Sequence, residues 1–174
     1  MWPGRIEPGK TIDQVICLTD LMATVAAITG HALEEDEGVD SRNLLPLMEG
    51  NTAAWDPMAT VHHSVNGSFA IRQGLWKLIL CPGSGGWSDP KPGSPEVKEL
   101  PGVQLYNLEE DPCEKHNLQA IHPEKVKEMT RLLGRYILEG RSTPGPPQEY
   151  VMVPDWPGLA WLTAGMPQSP GTIE

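Results

Sequence analysis

Apolar residues recur at helical spacing in three stretches of this 174-residue chain, and alternate with period two between the second and third. Leu21, Met22, Val25, Ala26 and Ile28 follow the candidate caps Thr19 and Asp20 and stop at Gly30, which predicts a helix over about 20–29. Just before it, 14–18 is a short apolar run that reads equally as a buried strand or a helix start. Leu44, Leu45, Leu47 and Met48, capped by Asp40 or Ser41 and ended by Gly50, predict a second, shorter helix. The clearest helix opens at His122-Pro123. Proline sits in its first turn, Glu124 follows, and Val126, Met129, Leu132, Leu133, Tyr136 and Ile137 form one stripe that ends at Gly140.

Strand patterning fills the middle. Residues 61–65, 68–73 and 75–80 read as an antiparallel meander, with Asn66-Gly67 as a two-residue hairpin turn and a second tight turn at Gln73-Gly74. Alternation puts Trp76, Leu78 and Leu80 on one face and Leu75, Lys77 and Ile79 on the other. Residues 81–102 hold five Gly and five Pro, and no regular structure is expected there. A fourth strand returns at 104–108, followed by an acidic turn. The fold class is therefore α+β: a four-stranded antiparallel sheet with a packed C-terminal helix. Residues 143–174, with seven Pro, four Gly and three charges, read as an irregular tail in which Trp156 and Trp161 stand isolated.

Charge narrows the partners. Thirteen Lys+Arg against 23 Asp+Glu leave a net charge of −10. A chain this acidic is a poor ligand for a phosphate backbone, so no nucleic acid is expected. It has no basic amphipathic face and no apolar run long enough to span a bilayer, so no membrane partner is expected either. The first residues carry no signal-peptide pattern, and the compartment stays open. Acids crowd 34–40, but without calcium-loop spacing, and read as a solvated loop.

Candidate chemistry is sparse. Cys17, Cys81 and Cys113 match no disulfide framework or zinc spacing. Cys81-Pro-Gly-Ser84 has no neighbouring base to activate the thiol, and Gly83–Gly86 lacks the Gly-Lys-[Ser/Thr] of a P-loop. His62 and His63 are adjacent on a strand, so only one of them faces any one site. Arg72 and Lys77 lie on neighbouring strands, where pairing with the acids of 109–114 explains them without a ligand. No complete catalytic constellation emerges.

Three segments carry a resemblance. Trp2-Pro3-Gly4-Arg5-Ile6 with Pro8-Gly9, then Thr19-Asp20-Leu21-Met22-Ala23-Thr24 with Gly30, are similar to a stretch late in the large domain of sulfatases of the arylsulfatase type. Ser68-Phe-Ala-Ile-Arg-Gln-Gly-Leu-Trp-Lys-Leu78 resembles the arginine- and lysine-bearing strand pair of their small domain. Leu105-Tyr-Asn-Leu-Glu-Glu-Asp-Pro-Cys-Glu-Lys-His-Asn-Leu118 resembles their Leu-Tyr-Asp-Leu…Asp-Pro-x-Glu-x-x-Asn-Leu signature. Their order and spacing extend the resemblance over about residues 2–142.

The resemblance implies three parts: a remnant of an alkaline-phosphatase-like α/β domain (1–55), the small C-terminal domain (56–142) and the tail (143–174). It implies sulfate-ester hydrolysis by a formylglycine nucleophile with calcium, acting on a sulfated carbohydrate or an aryl sulfate. Cys81-Pro-Gly-Ser-Gly85 is not the C/S-x-P-x-R motif that yields formylglycine, and the calcium ligands fall in the missing N-terminal sulfatase domain. The chain alone is therefore expected to be inactive, with no catalytic or metal residue of its own. The alternative is a non-catalytic binding module derived from the small domain. The resemblance implies that the loop after the third strand overhangs the sulfate pocket, which makes Trp87 and Ser88 candidate substrate contacts, with His62 and His63 as a second pair. Family members are often exported.

Overall fold

The computed structural model describes residues 2–55, 58–149, 157–159 and 161–162. The described residues include three named α-helices, α1 (Leu21–Thr29), α2 (Leu45–Met48) and α3 (Pro123–Glu139), and one sheet of four strands. The strands are β1 (Thr60–His63), β2 (Phe69–Gln73), β3 (Trp76–Ile79) and β4 (Gln104–Asn107). They pair antiparallel in chain order β1-β2-β3-β4, with α3 packed across one face. This is the α+β arrangement that the patterning predicts.

The register sets the two faces. Ile71 pairs with Leu78 and Leu78 with Leu105, and all three are fully buried against Met129 and Leu133 of α3. Each such side chain contributes about 1.5–3 kcal/mol by leaving water. Tyr136, Phe69 and Ala59 complete this core, with Trp76 and Leu80 packed at its margin. Alternation therefore places Thr60, His62, Ala70, Arg72, Lys77, Ile79, Gln104 and Tyr106 on the opposite face.

Several local expectations change. Residues 14–18 form neither strand nor helix start: Ile16 and Leu18 are exposed, and a single 3-10 turn (Leu18–Asp20) leads into α1. Neither Asp40 nor Ser41 caps α2. The Asn43 side chain accepts from Leu45 N–H at 2.9 Å, while Ser41 Oγ accepts from Ala23 N–H and Asp40 holds Ser142. The first hairpin loop has three residues, not two. Ser64 pairs with Ser68, Gly67 alone takes a positive φ of 82°, and the Asn66 carboxamide accepts from Ser68 N–H, which keeps Asn66 out of the left-handed region. Within the 81–102 loop, Pro95–Glu99 winds into a short 3-10 helix.

The tail is more anchored than expected. Thr143 Oγ1 donates to Val39 O at 2.7 Å, and the buried Arg141 guanidinium donates to the carbonyls of Thr143 and Pro146. Trp161 is not isolated: its ring meets Phe69 edge-on at 6.5 Å, and Leu162 is buried. Trp156 lies outside the described residues.

The segment after β4 is explained by hydrogen bonding. The Asn117 side chain accepts from Leu105 N–H and donates to Val103 O, serving the outer edge of β4 as a strand would. Asp111 accepts from Lys115 and His116 N–H, which closes the acidic turn and holds its carboxyl below the ordinary carboxylate value.

Candidate functional site

The face of the sheet away from α3 is polar and concave. A cavity of about 570 Å³ lies over it, lined by His62, Arg72, Lys77 and Glu114, with Ser64 and Ser84 at one end. Strand alternation brings the first three together. Arg72 stands directly opposite Lys77 across the β2–β3 ladder and opposite Thr60 across β1–β2. His62 lies one diagonal step from Arg72, within reach of long side chains.

The charges are only partly compensated. Lys77 Nζ meets Glu114 Oε1 at 2.6 Å, which bears out the expected pairing with the acidic turn. Arg72 does not join it. Its Nε donates to the Gly74 carbonyl at 3.2 Å, and no carboxylate reaches it among the described residues. His62 Nε2 lies 3.0 Å from buried Thr60 Oγ1. Partial burial, then Lys77, Arg72 and His63, hold its imidazole below the ordinary histidine pKa.

Gln104 fixes the loop that borders the cavity. Its amide nitrogen donates to the Cys81 and Gly83 carbonyls at 2.7 and 2.8 Å, and its oxygen accepts from Tyr106 O–H at 2.8 Å. Burial, then Glu114 and Asp111, push the Tyr106 phenol above its ordinary pKa. Gly85 has φ +61°, and a Cβ there would lie 2.8 Å from Cys81 Sγ and 3.1 Å from Ser64 Oγ. Only glycine permits this approach of the loop to the β1–β2 hairpin. Cys81 is buried beneath it, as a packing thiol rather than an exposed nucleophile.

The four expected contact residues separate. His62 lines the cavity with the cations. His63 points to the α3 side, its ring 4.1 Å from that of Phe69, and reaches the cavity only at the edge of β1. Trp87 is 83% exposed at the loop's outer turn, and Ser88 engages Ser84 Oγ through its carbonyl; neither lines the cavity. Arg72, Lys77, Glu114, Ser64 and Ser84 are among the cavity residues that the sequence did not single out as contacts. The second hairpin turn falls at Gly74–Leu75, one residue later than the Gln73-Gly74 turn expected from the sequence, and this register is what sets Arg72 opposite Lys77.

A second surface is apolar. Ile12, Ile16, Leu18, Leu21, Met22, Val25 and Ile28 are all exposed, and they run through α1 and the segment before it. Among the described residues, no three His, Cys, Asp or Glu side chains converge as a metal shell requires. The calcium expected of the family does not fit this set.

Comparison with known proteins gives a consistent picture. No family model matches the chain. It is 31% identical over 135 residues to an N-acetylgalactosamine-6-O-sulfatase of Bacteroides thetaiotaomicron, covering 76% of this chain and 25% of that protein. It is 31% identical over 137 residues to an ulvan-active sulfatase of Formosa agariphila, covering 67% and 27%. A solved 6S-sulfatase from a Bacteroides thetaiotaomicron locus for the metabolism of multiple glycosaminoglycans superposes with a TM-score of 0.60 at 29% identity, over 77% of this chain and 27% of that one. The chain spans about a quarter of the length of these relatives.

Proposed function

Because the chain belongs to the sulfatase family, as a C-terminal portion of it, we propose that it works as part of a sulfuric ester hydrolase acting on a sulfated carbohydrate. The observation that carries this reading is the 135-residue match to an N-acetylgalactosamine-6-O-sulfatase, which takes in three quarters of the chain. In this proposal the chain supplies no reacting group. On this reading, the formylglycine nucleophile and the calcium ion that the resemblance implies would come from outside this chain. Cys81, buried and lacking the following arginine of the formylglycine motif, supports that division.

The partner of this chain is then a sulfatase large domain. The exposed apolar stripe through Leu18, Leu21, Met22, Val25 and Ile28 is the surface it would cover. An uncovered stripe of this length marks an interaction surface rather than a monomer's ordinary exterior. His62 in the polar cavity and Trp87 on the adjoining loop are proposed to touch the sugar, with Ser88 and His63 at the edges. An exposed tryptophan offers a flat apolar face for a pyranose ring, and the imidazole offers hydrogen bonds to hydroxyl or sulfate oxygens.

The test is reconstitution. The chain is joined to the unmatched three quarters of the Bacteroides thetaiotaomicron relative, and sulfate release from 6-sulfated N-acetylgalactosamine is followed. Release by the joined protein and none by the chain alone is the expected result. Release by the chain alone, or none by a folded joined protein, overturns the proposal.

A further inference from the structure

Resting on the sulfatase reading for the nature of its ligand, we infer that the open face of the sheet binds a second, non-reacting anionic group of the substrate. Arg72 is its principal ligand and Lys77 and His62 lie beside it, so the substrate class is an oligosaccharide with more than one negative charge.

One positive charge on this face lacks a carboxylate among the described residues. Two cations placed directly opposite on one sheet face repel each other and weaken the strand pair. Glu114 offsets one of them, pairing with Lys77 at 2.6 Å. The Arg72 guanidinium keeps a single carbonyl partner through Nε, which leaves its planar fork of terminal nitrogens directed to no acceptor among the described residues. That fork is matched to carboxylate and sulfate oxygens, which it binds through paired, charge-assisted hydrogen bonds.

The surroundings suit a sugar rather than a bare ion. The cavity, about 570 Å³, is far larger than one sulfate needs. Its walls add Ser64, Ser68 and Ser84, the imidazole of His62 and the Glu114 carboxylate, which accepts hydrogen bonds from hydroxyls. Ile79 and Leu108 give it apolar floor. The chain as a whole carries −10, so a cationic patch on this face stands against the general charge and would draw an anion to one place.

The experiment is an NMR titration of the full chain with four probes. They are a disaccharide of a uronate and 6-sulfated N-acetylgalactosamine, its uncharged counterpart, inorganic sulfate, and 4-nitrophenyl sulfate. The charged disaccharide is expected to shift the amides around His62, Arg72 and Lys77, and to bind at least fivefold more tightly than any other probe. Arg72→Gln is expected to weaken it about tenfold, the scale of one charge-assisted hydrogen bond. Arg72→Lys, which keeps the charge and the fold, should lose less. Raising salt should weaken binding. Equal binding by Arg72→Gln, equal binding of inorganic sulfate or the uncharged sugar, or no shift at this face overturns the inference. Sulfate release by the joined enzyme is a separate readout. Release without binding here rejects this inference and leaves the sulfatase reading standing, whereas binding without release supports this inference and counts against that reading.

Discussion

Arg72 and Lys77 face each other across the β2–β3 ladder, and among the described residues only Lys77 has a carboxylate partner, Glu114 at 2.6 Å. Glu114→Gln therefore leaves two like charges opposed with nothing between them. Both members of the ion pair are about a quarter exposed, so solvent screens much of the interaction. The expected loss of stability is about 1 kcal/mol or less. Urea denaturation at low and high salt checks it: the loss should shrink at high salt, because the remaining repulsion is screened.

Asp20 is the buried hub of the region before the sheet. It is fully buried and accepts from Cys17 N–H at 2.9 Å, Arg42 N–H at 3.0 Å and Arg42 Nη2 at 3.1 Å, while the Arg42 guanidinium also covers the Trp55 ring. Asp20→Ala takes the buried carboxylate away from the Arg42 guanidinium and from two backbone donors. The expected cost is about 3–5 kcal/mol, the range for removing one partner of a buried pair. Chemical denaturation measures it. Swapping both residues for apolar ones should cost less than the single change.

Periodicity carried most of the fold. The α3 stripe, the inward set Ile71, Leu78 and Leu105, and the glycine stops at Gly30 and Gly140 all follow from spacing plus a left-handed end residue. Expectations failed where a side chain outcompeted a generic local rule. Asn66 bonds to Ser68 instead of taking the second left-handed position of a two-residue turn. Asn43, not Asp40 or Ser41, accepts from the first N–H of α2, while Asp40 and Ser41 are committed to Ser142 and Ala23, 102 and 18 residues away in sequence. Such long-range claims leave no local trace. The site was half legible: Arg72 and Lys77 were visible as residues of neighbouring strands, but that Glu114 pairs with Lys77 and no carboxylate among the described residues reaches Arg72 is a fact of three dimensions.

Gly85→Ala tests how the loop carrying Trp87 is held. The new methyl would sit 2.8 Å from Cys81 Sγ, at a φ of +61° that L residues rarely adopt. The core between the sheet and α3 does not touch this position, so the chain should stay folded. Amide shifts confined to residues 81–90 and the tip of the β1–β2 hairpin are the expected result. Shifts spreading into α3 would contradict it.

His62 makes stability depend on pH in a defined direction. Its folded pKa lies below the ordinary 6.5, because partial burial and then Lys77, Arg72 and His63 disfavour the imidazolium. The unfolded chain therefore binds more protons between the two values, and stability rises with pH there. The contribution is complete above 6.5 and is lost as pH falls through the folded pKa. Thermal melts across that window should slope accordingly, and His62→Gln should flatten the slope. Bound anion should raise the His62 midpoint, as read by its ring proton shifts.

The exposed stripe on α1 yields the last expectation. Val25 is 54% exposed and Leu21 53%, so replacing either with Asp removes little native packing. Stability of the isolated chain should change by less than about 0.5 kcal/mol, as for other surface substitutions. Its self-association should fall, since the apolar patch is broken by charge. Association with a separately produced sulfatase large domain should fall steeply instead, because a carboxylate would be buried without a partner. Sedimentation of the chain alone and with that domain distinguishes the two effects. Unimpaired association by Val25→Asp would place the docking surface elsewhere on the chain.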